Sequence, residues 1–359
     1  MDCSKRYMKN LFSGLFGSRK KNSSTDDMSL VDMMSFLETK IFPCSECGHF
    51  FQLDNPSPLT IAPCSQCGAG NFVPKKLGPF WLYKFCAEGG QGRVYKATCS
   101  LVPDTEFAVK ILPEEVREDS VRIDSLRREA EITALFNDHP NSVNVVEFDR
   151  DDGIVYMATE YIDGLLLDKC IEKKGKLSEE DAVSYSISLL DIVEEIYSKG
   201  YLFRDLKPQN IIIGKDNNLV LMDYGICYPV GVGVDRVEDE VDGSPHFIPP
   251  ERLTGEGEEL CSEIYSIGML MFYMLTGKTY FNGDSLQEIA ELHVNGDRRA
   301  NLASELPYID EELVKLIDKM VLRIKRKRIQ TIKEVRAVLN YLQKKHLAAR
   351  QKLEEEYSN

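Results

Sequence analysis

Two segments of this chain repeat one another almost letter for letter. They are Cys44-Ser45-Glu46-Cys47-Gly48 and Cys64-Ser65-Gln66-Cys67-Gly68, with 16 residues between Cys47 and Cys64. Few patterns restrict a fold so tightly. Two residues between thiolates let both sulfurs reach one ion, and a glycine after each pair can take the positive-φ turn that closes a knuckle. The gap fits a tetrahedral site in which Cys44, Cys47, Cys64 and Cys67 hold zinc. With all four positions filled by cysteine, such a Zn2+ is structural and not catalytic. Roughly 33 residues, from Phe42 to Pro74, cannot build an adequate core alone, so the metal is expected to supply much of the folding energy there.

The whole chain, at 359 residues, leaves room for one large domain beside this appendage. Apolar residues at 43% and charged residues at 28% are those of a globular protein with a sizeable core. A net charge of −14 argues against a chain-wide nucleic-acid surface. The knuckles themselves carry no lysine, and Lys75 and Lys76 lie just outside them. No apolar run approaches the ~20 residues that span a bilayer. Leu11, Phe12, Leu15 and Phe16 follow Lys5, Arg6 and Lys9 but are too few and too broken for a secretory signal. A reducing, cytoplasmic setting is therefore expected, with the other six cysteines as free thiols. Residues 1–40 read as a basic, disordered leader containing a short helical candidate, Ser29–Thr39. The alternative for the leader is a weak peripheral membrane contact through the apolar residues at helical spacing.

Beyond Pro74 the texture becomes that of a long α/β region. Apolar pairs around Arg93–Ala97, Glu106–Leu112, Asn144–Phe148 and Ile154–Glu160 predict strands, and Ser120–Phe136 has helical periodicity. The later part is mostly helical, as in Glu179–Ser198, Cys261–Leu275 and Glu311–Leu322. A β-rich part followed by an α-rich part implies an α+β, bilobal arrangement with a cleft. Residues 343–359 read as a charged, helix-prone tail.

Several segments within this region carry chemistry. Ala87-Glu88-Gly89-Gly90-Gln91-Gly92-Arg93-Val94 lies between strands, and its glycines let backbone N–H groups approach phosphate oxygens. Lys110 ends the apolar run Phe107-Ala108-Val109, where a lysine is costly without a partner. The helix Leu126–Ile132 offers Glu129 and Glu131. Phe203-Arg204-Asp205-Leu206-Lys207-Pro208-Gln209-Asn210 and Asp223-Tyr224-Gly225 flank the apolar strands Ile211–Ile213 and Leu219–Met222. Asp205 suits a group that orients a hydroxyl and accepts its proton, and Asn210 offers an oxygen to a hard cation.

In this order, these segments resemble the eukaryotic-type serine/threonine protein kinase family over about residues 80–342, and the knuckle region resembles zinc-ribbon modules. The resemblance implies a kinase-like fold with an N-lobe at 80–161 and a C-lobe at 164–342, preceded by a ribbon at 41–76. It also implies ATP and Mg2+. Backbone around Ala87, Gly89, Gly90 and Gly92 would cover the phosphates, beside Val94 and Ala108. Lys110 would pair with the α- and β-phosphates and with Glu129, while Glu131 faces another side of the helix. Thr159 would back the adenine pocket, with Glu160 and Ile162 bonding the base through their backbone. Asp205 would be the catalytic base, Lys207 would stabilise the transferring phosphate, and Asn210 and Asp223 would hold Mg2+. Lys207 marks the serine/threonine class, so the substrates would be Ser/Thr hydroxyls of proteins. A protein partner would bind through the ribbon. The alternatives are a catalytically inactive scaffold and a ribbon-directed binding protein.

Five positions depart from the family pattern: Ala87, Phe203, Tyr224, Pro249 and Glu263. Glu263 matters most, because the carboxylate at that position holds the catalytic-loop backbone in the family. Glu251 is expected to pair with Arg328. Between Gly225 and Gly243 the only hydroxyl is Tyr228, whereas Asp235, Glu238, Asp239, Glu240 and Asp242 crowd the segment. One of these carboxylates is expected to neutralise Arg204 in place of a phosphate; a solvated acidic loop is the plain alternative.

Overall fold

Each Cys-x-x-Cys-Gly unit closes a short antiparallel hairpin. Strands β1 (Ile41–Pro43) and β2 (Phe50–Gln52) flank the first, and β3 (Ile61–Pro63) and β4 (Gly70–Phe72) flank the second. Gly48 N–H donates to the Cys44 carbonyl at 2.9 Å, and Gly68 repeats this on Cys64 at 3.0 Å. Both glycines have positive φ, +68° and +76°, with open space where a Cβ would stand, so they are required for their backbone angle and not for room.

The computed structural model describes residues 36, 39–53, 56–90, 92–232, 245–296 and 302–358. The basic leader, the acidic stretch Asp235–Asp242 and most of Ser29–Thr39 lie outside the described residues; Phe36 and Thr39 are helical. The chain forms a bilobal α+β fold of two compact units, one running to Leu135 and including Asn144–Tyr161, the other made of Phe136–Val143 and the chain from Ile162 onward.

In the first unit the hairpins run straight into β5 (Lys75–Leu77), the edge of a six-stranded antiparallel sheet. The sheet continues through β6 (Phe80–Gly89), β7 (Gly92–Cys99), β8 (Val102–Ile111), β9 (Val145–Asp151) and β10 (Ile154–Glu160), in the order β5-β6-β7-β8-β10-β9. The period of two along β8 sends Phe107, Val109 and Ile111 into one core with Leu82, Tyr95 and Tyr156. Phe72 of the second hairpin and Leu59 just before it pack on that core, so the ribbon is joined to the sheet by apolar contact as well as by chain. Lys75 and Asp152 add an ion pair at 2.9 Å. Helix α1 (Ser120–Ala134) covers the other face, capped by Asp119, whose carboxylate accepts from the Val121 and Arg122 amides. Its buried face, Leu126, Glu129, Ala130 and Thr133, follows the helical repeat.

The second unit is built on helices. After β11 (Gly164–Leu166) come α2 (Leu167–Lys174) and α3 (Glu179–Ser198), the latter capped by Ser178. A polar loop follows β12 (Tyr201–Leu202), and then the hairpin β13 (Ile211–Gly214) and β14 (Leu219–Leu221). Phe136–Val143 packs here: Asn141 Nδ2 donates to the Leu219 carbonyl at 2.8 Å, and Val143 N–H donates to that of Leu221 at 3.1 Å. Past β15 (Tyr228–Pro229) lie α4 (Pro250–Thr254) and α5 (Leu260–Thr276), a helix buried almost all round. They are followed by α6 (Leu286–Asn295), α7 (Leu302–Glu305), α8 (Glu311–Met320) and α9 (Ile332–Ser358). Helix α9 runs through 342/343 without a break, tied to α3 by Arg336–Glu194 at 2.7 Å and His346–Glu179 at 2.8 Å. No helix among the described residues is long and apolar enough to cross a membrane.

Candidate active site and metal centre

The four knuckle sulfurs lie within 4.8 Å of one another. Cys44 and Cys67 stand 3.6 Å apart and Cys47 and Cys64 3.8 Å. A zinc ion with bonds of about 2.3 Å to four sulfurs gives tetrahedral edges of about 3.8 Å, so the donor set and its spacing fit that ion. The Cys47 backbone N–H is the largest of several groups that draw the Cys44 thiol down to about 6. Asn71, buried on β4, supports the cluster from behind. Its Oδ1 accepts from Ser45 N–H at 2.8 Å, and its Nδ2 donates to the Ala69 carbonyl at 2.8 Å and to Cys44 Sγ at 3.7 Å. Such an outer contact orients a thiolate ligand. The sequence did carry a signal for it. Four residues after Cys67 stands Asn71, whereas four after Cys47 stands Phe51, and the repeat breaks where one knuckle must reach the other.

In the first unit, Lys110 donates to both oxygens of Glu129, at 2.8 and 2.7 Å, and the pair is almost fully buried. Glu131, the other acid considered, is exposed. The β6–β7 turn pairs Gly89 with Gly92 and Ala87 with Val94. Gly92 has a φ of +147°, and a Cβ there would come within 2.8 Å of the Ile111 carbonyl, so both space and angle demand glycine. Gly89 and Gly90 face open space. Thr159 is buried, its Oγ1 donating to the Ala108 carbonyl at 3.4 Å, and Glu160 N–H donates to the Asn144 carbonyl at 3.0 Å. Ile162 begins the second unit's main segment.

The second unit gathers Lys207 and Asn210 around the Asp205 carboxylate. Pro208 opens a single 3-10 turn, Pro208–Asn210, which brings Asn210 back toward Asp205. Asn210 Nδ2 donates to Asp205 Oδ2 at 2.7 Å and to the Asp205 carbonyl at 3.0 Å. Lys207 Nζ donates to the same Oδ2 at 2.7 Å. Asp223 follows β14 with a φ of +66°, and Met222 N–H donates to the Asn210 carbonyl at 2.9 Å, linking the two segments. Behind them Tyr224 is fully buried, stacked on Phe136 and edge-on to Phe203, with its hydroxyl 2.6 Å from Ser142 Oγ. Two of the positions that depart from the family pattern, Tyr224 and Phe203, thus pack ring against ring; the Ser142 partner had no sequence signal.

Supporting charges lie below this loop. Arg328 and Glu251 form a two-pronged pair at 2.6 and 2.9 Å, as the sequence led us to expect. Glu263 Oε1 accepts from the Arg204 backbone N–H at 2.9 Å, so the longer side chain is accommodated. Burial pushes its carboxyl up to about 7. Among the described residues the carboxylate on the Arg204 guanidinium is Glu258, at 2.7 Å; the stretch Asp235–Asp242, from which a partner was expected, lies outside the described residues. Glu258 sits in the run Glu256–Glu259, which reads as solvated acid, so sequence reasoning passed over it.

The model of the protein kinase domain family matches residues 83–340. A probable serine/threonine-protein kinase of Clostridium perfringens is 32% identical over 276 residues, covering 76% of this chain and 39% of that protein. The serine/threonine-protein kinase PrkC of Bacillus subtilis is 30% identical over 220 residues, covering 61% and 34%. Serine/threonine-protein kinase F of Synechocystis is 27% identical over 323 residues, covering 83% and 62%. The chain thus spans only about a third to two fifths of the first two relatives.

Proposed function

The chain belongs to the protein kinase family, and on that premise we propose that it is a serine/threonine protein kinase that transfers the γ-phosphate of ATP to Ser/Thr hydroxyls of protein substrates. The observation that carries this reading is the Asp205 carboxylate, buried and held on one oxygen by both Lys207 and Asn210. Asp205 orients the incoming hydroxyl and accepts its proton, and Lys207, within reach of the same oxygen, offsets charge on the transferring group. Asn210 spends its amide nitrogen on Asp205, which turns its oxygen toward cation binding. With Asp223 it makes an all-oxygen donor set that suits a hard ion. These are the residues that would hold Mg2+, whose charge, when bound, neutralises the phosphates.

Nucleotide binding falls to Ala87, Gly89, Gly90 and Gly92 through their backbone, and to Val94 and Ala108 through apolar contact. Lys110, fixed by Glu129, is directed to the phosphates. Thr159 backs the base, and Glu160 and Ile162 address the adenine edge through their backbone. In this reading the chain divides into a leader at 1–40, a ribbon at 41–76 and a kinase domain at 80–342, with 343–359 as a charged tail. The ribbon, held by structural zinc on Cys44, Cys47, Cys64 and Cys67, recruits a protein partner, and the protein works in the cytoplasm.

Turnover of ATP with a generic basic protein, comparing the full chain with D205N, tests the proposal. A loss of about 10³-fold or more in D205N is expected, of the size that follows removal of a residue central to catalysis. Equal rates in the two would sink it. Metal analysis of the full chain is expected to find one zinc, lost with C64S.

A further inference from the structure

Arg204 has a φ of +70°, a left-handed conformation that a non-glycine residue adopts at a cost. It directly precedes Asp205, so its backbone angles set the direction in which Asp205 leaves the loop. Such a conformation persists where the surroundings over-determine it, and here they do so from several sides. The Arg204 N–H donates to Glu263 Oε1 at 2.9 Å, and its carbonyl accepts from Arg252 Nη1 at 2.7 Å. Its Nε donates to Glu258 Oε1 at 2.7 Å, and its guanidinium lies over the Tyr228 ring, 5.0 Å from the centroid.

Glu258 joins two of these contacts. Its other oxygen, Oε2, accepts from Arg252 Nε at 2.9 Å and Nη2 at 2.6 Å. One carboxylate thus grips the guanidinium of Arg204 and the guanidinium that holds Arg204's carbonyl. Its side chain is 4% exposed, and those of Arg204 and Arg252 are 9% and 8% exposed. Burying three charges is costly unless the geometry returns the cost. Anchoring the chain between α4 and α5 does not require it, since Arg328 already clamps Glu251 in α4 and bonds the Cys261 carbonyl in α5. What the Glu258 bridge adds ends on Arg204.

We propose that Glu258 is a positioning residue for phosphoryl transfer, fixing through Arg204 and Arg252 the left-handed turn that aims Asp205. The inference rests on the phosphotransferase reading of Asp205 and extends it to a residue that acts at one remove. It also assigns the counter-charge of Arg204 to a fixed part of the fold.

The test compares full-length wild type, D205N, E258Q, E258D and R252Q, varying ATP with a generic basic protein as acceptor and following thermal unfolding in parallel. E258Q keeps the shape, removes the charge and turns an amide against two guanidiniums. A fall in kcat of about 10- to 100-fold is expected, with KM for ATP within about threefold, the signature of misaimed chemistry and not of lost binding. E258D, which returns the charge, should run faster than E258Q. R252Q cuts the grip on the Arg204 carbonyl while leaving the Glu258–Arg204 pair, and should lower kcat by about 3- to 10-fold; it serves as the second route if E258Q does not fold. The proposal is overturned by an E258Q rate within about twofold of wild type, by an E258D no faster than E258Q, or by a loss that merely tracks the folded fraction. Wild type no faster than D205N would overturn the phosphotransferase reading and this inference together. That result is distinct from an active wild type with an unimpaired E258Q.

Discussion

Glu251 and Glu263 are both buried in the second unit, 2% and 3% exposed, yet their carboxyls are driven in opposite directions. At Glu251, burial pushes the carboxyl up, but the Arg328 guanidinium and the Ser262 hydroxyl more than offset it, leaving the group below its ordinary value. At Glu263, burial also dominates. One backbone N–H from Arg204 and the more distant pull of Arg252 and Arg204 do not offset it, and Glu258 adds repulsion, so the carboxyl rises to about 7. The difference lies in the partner. A two-pronged guanidinium makes a buried carboxylate a fixed charge and a structural clamp. A single amide makes it a holder of backbone whose charge is contingent on pH.

The sharpest way to break the comparison is to remove the clamp. R328A strands Glu251 as a buried acid without its counter-charge, and such losses cost about 3–5 kcal/mol. Urea unfolding at neutral pH should show it. A loss under about 1 kcal/mol would mean the pair is as dispensable as a surface one.

The second prediction separates charge from hydrogen bonding at Glu263. The folded carboxyl binds its proton more tightly than the unfolded one, so between about pH 4.5 and about 7 this group makes stability fall as pH rises. The full span is worth up to about 3 kcal/mol. Glu251 has the opposite sign: its contribution is present above the ordinary carboxylate range and is lost as pH falls through its lowered value. E263Q keeps an oxygen for the Arg204 N–H and removes the titration. Unfolding at several pH values should therefore show the variant gaining on wild type from pH 5 to pH 8. Parallel curves would place the titration elsewhere.

How much of this was legible in the sequence depends on how local each interaction is. The Asp205–Asn210 loop and the two knuckles are contiguous, and their residue types suggest their chemistry, so a candidate site could be read directly. Glu129 is preferred to Glu131 because it stands at the position the family resemblance implies, with Glu131 on another side of the helix, and Lys110 does pair with it. The strands β7 to β10 and the helices α1, α3, α5 and α8 fall within a few residues of where periodicity put them. Contacts that pair distant, chemically ordinary residues left no such trace. Glu258 looks like one acid in a solvated run until the fold brings two arginines to it. Lys75-Lys76 reads as a basic edge to the ribbon, yet it forms the outer strand of the larger sheet. Phe136–Val143 lies inside the β-rich stretch of sequence but spends its hydrogen bonds on β14 and its approach.

The smallest expected effect concerns a buried polar contact with no charge at all. Tyr224 and Ser142 share one hydrogen bond at 2.6 Å, with both residues buried. Burial holds the phenol well above its ordinary pKa, so it remains a neutral donor across the working range. Y224F removes that hydroxyl but keeps the ring stacked on Phe136 at 5.4 Å and edge-on to Phe203 at 5.2 Å. Ser142 is not stranded by this change, because its hydroxyl also donates to the Val143 carbonyl at 3.3 Å. The cost should therefore stay near about 1 kcal/mol, the net worth of a neutral hydrogen bond. S142A should cost more, since it leaves the phenol buried against a methyl group. Thermal unfolding of the two variants gives the order directly. If Y224F proved the more damaging, the hydroxyl would be holding Asp223 and its segment in place and not merely satisfying itself, and the ring alone would not explain a tyrosine at this position.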